Sequence, residues 1–347
     1  MLDRARHLFH RAYGVPSKID EILATVTGLA PAKAKDLPVG MTPDDQNPFW
    51  HWQSSFDAVG TMRKYAATGL KPSPDYLINY LGVKIDPAFF PAILGGEQVP
   101  GQYRWPGQGE VEPMPEPNNW HADIAEFAAA LRAVELSKGS FTVVELGCGW
   151  GCWLNNTGVA ARRVGKRVFL IGIEGDEGHL GFARKSLPEN GFAESEYALY
   201  HGIAAAYNGV ALFPRQDVAG RKWGLEPILN PTDEQVQQAT EDGSCQILPT
   251  LDLQTIVDKH GDLDLLHIDI QGGETALLEA CVATCNEHVR FVLVGTHGRV
   301  VEGKLETLMF SNGWVLEMDR PSISSLDDGV QTLRVDGVQG WRNPRMS

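Results

Sequence analysis

What this 347-residue chain lacks narrows its function before any motif is read. It has no excess of basic side chains: 30 Lys and Arg stand against 44 Asp and Glu, a formal net charge of −14. Nucleic acids and anionic membranes select basic surfaces, so neither is expected as the main partner. It has no run of about 18 apolar residues, so no membrane span is expected. The stretch from Met1 to His7 alternates charge and lacks the apolar centre of a signal peptide. Five cysteines are too few for a disulfide scaffold, and a reduced, cytoplasmic setting is the expectation. The pairs Cys148/Cys152 and Cys281/Cys285 share a spacing that could suggest a metal site. The first pair falls in a glycine loop, however, and small buried cysteines are common. There is no internal repeat. What is present, 43% hydrophobic and 21% charged residues, is ordinary for a globular protein and excludes disordered, collagen-like and coiled-coil chains.

Punctuation divides the chain in two. Helical spacing is expected over 3–13 and again from Ser17 to Gly28, followed by a Pro-containing loop to residue 48. An aromatic cluster follows (Phe49, Trp50, Trp52, Phe56), then a helical stretch over 55–81 broken at Pro72 and Pro74. Trp50 and Trp52 suit either a small core or a stacking platform for a sugar. Residues 95–118, dense in proline, read as a linker. The expectation is therefore an N-terminal helical accessory region, 1–118, and a second domain, 119–347. The charge is uneven between them, net −2 and net −12.

Beyond the linker, a helix over Trp120–Ser137 leads into apolar runs of strand length separated by helical stretches. The runs are Phe141–Leu146, Val168–Ile173, Tyr197–Ile203, Leu263–Ile270, Val289–Gly295, Trp314–Met318 and Gln331–Val335. Uninterrupted apolar runs suit strands covered on both faces. The pattern predicts an α/β, Rossmann-like fold with a mostly parallel seven-stranded sheet. The last two runs, joined by a turn-rich stretch, are expected to pair as an antiparallel hairpin at its edge.

The strongest motif is Val143-Val144-Glu145-Leu146-Gly147-Cys148-Gly149-Trp150-Gly151. A buried strand ends in a loop with glycine at alternate positions, and a helix starts near Cys152. Glycine permits positive φ and close approach of a ligand, and the helix N-terminus offers unpaired N–H groups. A dinucleotide fingerprint needs its third glycine one position later, and no Gly-Lys-Ser or Gly-Lys-Thr follows, so a P-loop is excluded. The acidic residue before the loop resembles S-adenosylmethionine-dependent methyltransferases of class I. There Glu145 would orient the loop and face the methionine end of the cofactor. The second strand ends in Glu174, 23 residues after Gly151, at the spacing where an acid accepts ribose hydroxyls. Asp176 is expected to cap the next helix.

A third segment, Asp264-Leu-Leu-His-Ile-Asp-Ile-Gln-Gly-Gly-Glu274, is a strand ending in an acidic, glycine-rich turn. It resembles the FkbM-type methyltransferases, whose signature is similar to Lys-Ile-Asp-Val-Glu-Gly-x-Glu. Asp269, Gly272 and Glu274 match; His267 stands in place of Lys and Gln271 in place of Glu. The resemblance spans roughly residues 120–345, taking in Tyr200–Ala204 and Leu251–Ile256. It implies transfer of a methyl group to a hydroxyl of a sugar, glycoside or secondary metabolite. N-methylation of a small molecule or peptide stays open, as do an NAD-dependent oxidoreductase and a non-catalytic nucleotide-binding protein.

On this reading Glu145, Gly147, Cys148, Gly149, Trp150 and Gly151 hold the methionine part. Glu174 and Gly175 hold the ribose, and His201, Gly202 and Ile203 pass the adenine. Asp269 touches cofactor or acceptor. A hydroxyl acceptor must lose its proton to a base or a metal. His297 is the expected base, with Asp269 and Glu274 beside it. Asp269 and His297 could instead hold Mg²⁺ or Mn²⁺. His121 could line the cleft. The stretch from Pro214 to Leu248, with Trp223, is an insertion that could cover the acceptor. The expected partner is a small sugar-containing molecule, with a second copy of the chain joining through the N-terminal region.

Overall fold

The strands and helices alternate along the chain because apolar runs of strand length alternate with capped, amphipathic segments. The structure, a computed structural model, describes residues 48–91, 109–119 and 122–346, the side chains of Pro48 and Asp327 aside. The helices expected over 3–13 and 17–28, most of the linker, Trp120 and His121 lie outside the described residues.

A two-residue strand β1 (Gln53–Ser54) precedes helix α1 (Ala58–Tyr65), which Asp57 caps by accepting from the Gly60 N–H at 2.8 Å. The helix expected over 55–81 therefore stops at Tyr65. Strands β2 (Leu77–Ile78) and β3 (Lys84–Ile85) form a small antiparallel pair after the two prolines. Helix α2 (Ile124–Leu136) starts in a capping box: Asp123 accepts from the Ala125 and Glu126 N–H groups, and Glu126 accepts from that of Asp123. It is apolar on almost every face and almost wholly buried.

Then come β4 (Ser140–Leu146), α3 (Cys152–Arg163), β5 (Arg167–Glu174), α4 (Glu177–Glu189) and β6 (Tyr197–His201). Next are β7 (Ile203–Ala204), β8 (Gly209–Pro214), β9 (Ile228–Leu229), α5 (Asp233–Asp242) and β10 (Cys245–Leu251). The chain continues through α6 (Leu253–His260), β11 (Leu265–Ile268), α7 (Glu274–His288), β12 (Phe291–Thr296) and α8 (Arg299–Ser311). It closes with β13 (Val315–Arg320), β14 (Ile323–Asp327), β15 (Val330–Val335) and β16 (Gly337–Arg342).

The main sheet has the order β1-β13-β16-β12-β11-β4-β5-β6. Strands β12, β11, β4, β5 and β6 run parallel, and β16 is antiparallel to both its neighbours. This is the expected α/β, Rossmann-like architecture, with an eighth strand at one edge. One face packs Val144, Ile171, Leu266 and Val292 against Ile256, Leu277, Leu278, Leu305 and Met309 of α6, α7 and α8. Helices α2 and α3 cover the other face.

One expectation about the sheet needs correction. The edge hairpin does not join Trp314–Met318 to Gln331–Val335. Strand β13 pairs with β16, while Gln331–Val335 belongs to β15, which pairs with β14 in a separate ribbon. The ribbon is inserted in the chain between β13 and β16. The described residues from Pro48 onward fall in one compact unit. β1 extends the main sheet through Gln53–Asp319 and Ser54–Met318, and α1 packs on α2. Buried Asn79 donates to Asn156 of α3 at 2.6 Å, and Arg163 donates to the carbonyls of Tyr65 and Leu81. The physical reason is that Met62, Tyr65, Leu77, Leu81 and Ile85 are all buried, and so small a segment cannot bury them alone. Trp50 and Trp52 are half-buried and do not reach the cavity described below.

Candidate functional site

In a parallel sheet, ligands bind beyond the carboxyl ends of the strands where the strand order reverses. Here the order reverses between β4 and β11. Gly147 and Asp269, the first residues past these strands, meet there. The backbone of Gly147 has φ +73°, and a Cβ on it would lie 2.5 Å from the Asp269 carbonyl oxygen. Only glycine fits both the conformation and the space.

A cavity of about 630 Å³ opens at this point. Of the residues expected at the cofactor, Gly147, Gly149, Glu174, Gly175, Gly202, Ile203 and Asp269 line it. Glu174 accepts from the N–H of Gly149 at 2.8 Å with one oxygen and from that of Asp176 at 2.8 Å with the other. Burial pushes its carboxyl up to about 7, although those N–H bonds work the other way. Asp176 caps α4 as expected, accepting from the His179 N–H at 2.8 Å, and also lines the cavity.

The other expected residues stand behind the wall. Glu145 is buried; its oxygens accept from the N–H groups of Trp153 at 3.2 Å and Leu154 at 3.0 Å. Helix α3 has left-handed Gly151 at its N-cap and therefore no capping side chain of its own, so the strand-end carboxylate does that work. Burial raises Glu145 to about 8. Cys148 is buried, and its N–H donates to the Ile173 carbonyl at 3.0 Å. Trp150 is buried against Phe89 and Phe90. His201 turns from the cavity: one ring nitrogen meets the Gly175 carbonyl at 3.1 Å and the other Glu177 at 2.9 Å.

Asp269, Glu274 and His297 come together across β11, α7 and the end of β12. Their ligand atoms lie within 4.8 Å of one another, the one such group of three among the described residues. Asp269 faces the cavity with 44% of its side chain open. Gln271 Nε2 (3.1 Å) and His297 Nε2 (3.4 Å) both approach its Oδ1, and no partner among the described residues meets Oδ2. Burial raises its carboxyl, and His297 pulls it back. Glu274 is fully buried and accepts from His297 Nδ1 at 2.8 Å and the Gly272 N–H at 2.9 Å. Burial alone would raise Glu274, but these bonds hold it below the usual range. Burial likewise works against charge on His297, yet the two carboxylates outweigh it and bring the imidazole up to about 9.

That alters the role expected of His297. Within the chain itself, a carboxylate at each nitrogen favours the protonated imidazole, which weighs against the base role expected of it. His267, where the family signature has Lys, is buried against Trp153 and does not line the cavity; burial lowers it to about 3.

Much of the remaining wall is apolar; Ile270, Ala276 and Leu277 supply part of it from the β11–α7 side, and the rest comes mainly from the β6–β10 region. Ala204, Ala205, Ala206, Tyr207 and Phe213 line it, as do Trp223, Leu225 and Leu229 from the insertion. Trp223 stacks on the His179 ring at 4.0 Å and 5°, and lies against Gly149. Of these, only Trp223 carried a sequence signal, as the lone tryptophan in a polar insertion.

No family model matches the chain. The chain is 42% identical over 286 residues to a curated protein of Jannaschia sp. (strain CCS1) whose assigned name is that of a methyltransferase. The match covers 82% of this chain and 98% of that one. Among solved structures it is similar to methyltransferase FkbM from Methylobacillus flagellatus KT (13% identity, 62% and 53% of the two chains, TM-score 0.37). It is also similar to a ribosomal protein L11 methylase from Lactobacillus delbrueckii subsp. bulgaricus (12% identity, 70% and 90%, TM-score 0.35). Superpositions this loose carry no argument about chemistry. On the strength of the long match to the Jannaschia protein, the chain belongs to that methyltransferase family.

Proposed function

We propose that this methyltransferase uses S-adenosylmethionine and methylates a hydroxyl of a sugar, glycoside or secondary metabolite, as the FkbM-type enzymes it resembles do. The observation that carries the cofactor is the buried Glu174 carboxylate. It ends β5 beside the Gly147–Gly149 loop and faces the cavity at the reversal of strand order. Its two oxygens offer about four lone-pair sites, and the backbone N–H groups do not fill them all, which leaves room for a ribose hydroxyl. Gly202 and Ile203 line the wall next to it, where a base would lie. The cofactor, when bound, supplies a methyl group on a sulfonium.

The chain's own residues then have three tasks. The backbone loop and Glu174 fix the position of the cofactor. Asp269 Oδ2, open to the cavity and on a carboxyl raised by burial, takes the acceptor proton. His297, held by Glu274, keeps Asp269 turned toward the acceptor. Calorimetry with S-adenosylhomocysteine tests the reading, and Glu174→Ala is expected to abolish the heat signal. Binding of NADH with none of S-adenosylhomocysteine would overturn it.

A second reading has one observation in its favour. Glu274 fixes Nδ1 of His297, which leaves Nε2 aimed at Asp269 Oδ1 3.4 Å away. Neighbouring ligands of an octahedral Mg²⁺ or Mn²⁺ lie roughly 3 Å apart, so the pair fits such an ion, which would acidify a bound hydroxyl. Full turnover after dialysis against EDTA eliminates it.

A further inference from the structure

The segment Trp223–Asn230 closes one side of the cavity and is pinned at three points. Trp223 stacks on His179 and on Phe90. Gly224 lies against the Gln271 side chain. The Asn230 N–H donates to the Tyr207 hydroxyl at 2.8 Å, and this holds Asn230 at φ +51°. What the segment turns inward is Leu225, Pro227 and Leu229, with Glu226 and Asn230 as its polar groups.

Charge in the cavity is one-sided. Four carboxylates line it, Glu174, Asp176, Glu226 and Asp269, and no Lys or Arg does among the described residues. Three of the four are already bonded: Glu174 to backbone N–H groups, Asp176 to the His179 N–H and Gln216, and Asp269 to Gln271 and His297. Glu226, at the exposed rim, has no partner among the described residues. Arg221 and Lys222 precede Trp223 in the chain, but neither lines the cavity.

We infer that Trp223–Asn230 is the acceptor-selecting wall and that Glu226 sets its charge rule: the acceptor has an apolar body and carries no phosphate or carboxylate. An anionic group brought into this cavity meets a like charge at the rim and finds no Lys or Arg in the described lining to pair with, the His297 imidazole being already held between Asp269 and Glu274. Such juxtapositions are how sites reject close analogues. Apolar walls with few polar groups suit an alkyl or aromatic body bearing the hydroxyl. A free sugar nucleotide does not meet this rule; an alkyl or aryl glycoside does. The inference deepens the methyl-transfer reading and rests on it for the word acceptor.

Three probes test it: octyl glucoside, octyl glucosamine and octyl glucoside 6-phosphate, each titrated below its micelle concentration. Binding is followed by ligand-observed NMR with and without S-adenosylhomocysteine. The neutral and amine probes are expected to bind at least tenfold more tightly than the phosphate. Glu226→Lys is expected to erase or invert that ratio, and Glu226→Gln to bring it about halfway. Both variants should leave S-adenosylhomocysteine affinity unchanged. Equal binding of the phosphate probe overturns the inference, as does an unchanged ratio in Glu226→Lys, or binding of no probe at all. Failure of S-adenosylhomocysteine itself to bind strikes instead at the cofactor reading, and the probe titrations, which do not require it, still report on the wall.

Discussion

The two halves of the cavity are built from different materials. The half next to β4 and β5 is backbone and buried carboxylate: Gly147, Gly149 and Glu174 line it, and Glu145 braces the loop from behind, with N–H groups as partners of both acids. The half closed by the insertion is side chain: Trp223, Leu225, Leu229, Phe213 and Tyr207. A backbone site tolerates almost no substitution because its shape is set by dihedral angles and close approaches. A side-chain wall can be repapered, which is how one fold serves many substrates. Asp269 stands where the halves meet.

Experiments can break or sharpen that contrast. The largest effect belongs to the junction. Asp269→Asn should lower methyl transfer by about 10²–10⁴-fold, as loss of a general base does, with S-adenosylhomocysteine affinity within a few-fold of wild type. A parallel loss of both places Asp269 in the cofactor half instead.

On the backbone side, Gly147→Ala forces a Cβ toward the Asp269 carbonyl at positive φ. It should cost about 1–3 kcal/mol in stability and at least tenfold in cofactor affinity, read by thermal unfolding and calorimetry. Glu174 brings a pH signature. Its carboxyl lies near 7, and only the ionised form accepts from both its N–H partners and the ribose. S-adenosylhomocysteine affinity should therefore fall as pH drops below about 7, approaching tenfold per unit, and Glu174→Gln should flatten the profile.

Glu145 tests stability. Its folded value near 8 exceeds the unfolded one, so its contribution is complete below about 4.5 and is lost as pH rises through 8. Glu145→Gln cannot ionise and should flatten that part of the stability curve, seen as a smaller change in unfolding free energy between pH 5 and 8. The smallest effect is expected on the side-chain wall. Trp223→Ala gives up its stacking on His179 and Phe90, worth about 1 kcal/mol. Cofactor affinity should weaken only a few-fold; a loss as large as that of Gly147→Ala would erase the distinction between the halves.

The same contrast explains what could be read from the sequence. The glycine loop and the strand-end acids were legible because backbone chemistry demands particular residues at particular spacings. Strand β16 was not, since Gly-Val-Gln-Gly-Trp-Arg does not look like a strand. Its glycine at 340 is there for packing: a Cβ would press on Met318, Phe291 and Ala129 of α2, each at 3.1–3.2 Å. Strand β1, two residues long, is too short for any periodicity. The grouping of Asp269, Glu274 and His297 was legible, but which carboxylate meets which imidazole nitrogen was not: Glu274 takes Nδ1 and Asp269 faces Nε2 only in the folded geometry. The insertion wall follows from tertiary packing of a polar stretch, and a lone Trp223 was its single visible sign.

The close approach of Gly147 to the Asp269 carbonyl has a consequence for how this enzyme can evolve. The glycine loop and the root of the Asp269 side chain approach each other through main chain, with no side chain between them to absorb a shift. Their separation is therefore a property of the sheet and cannot be retuned by drift at either position. New substrates have to be acquired by redrawing the insertion around a reaction centre of constant geometry.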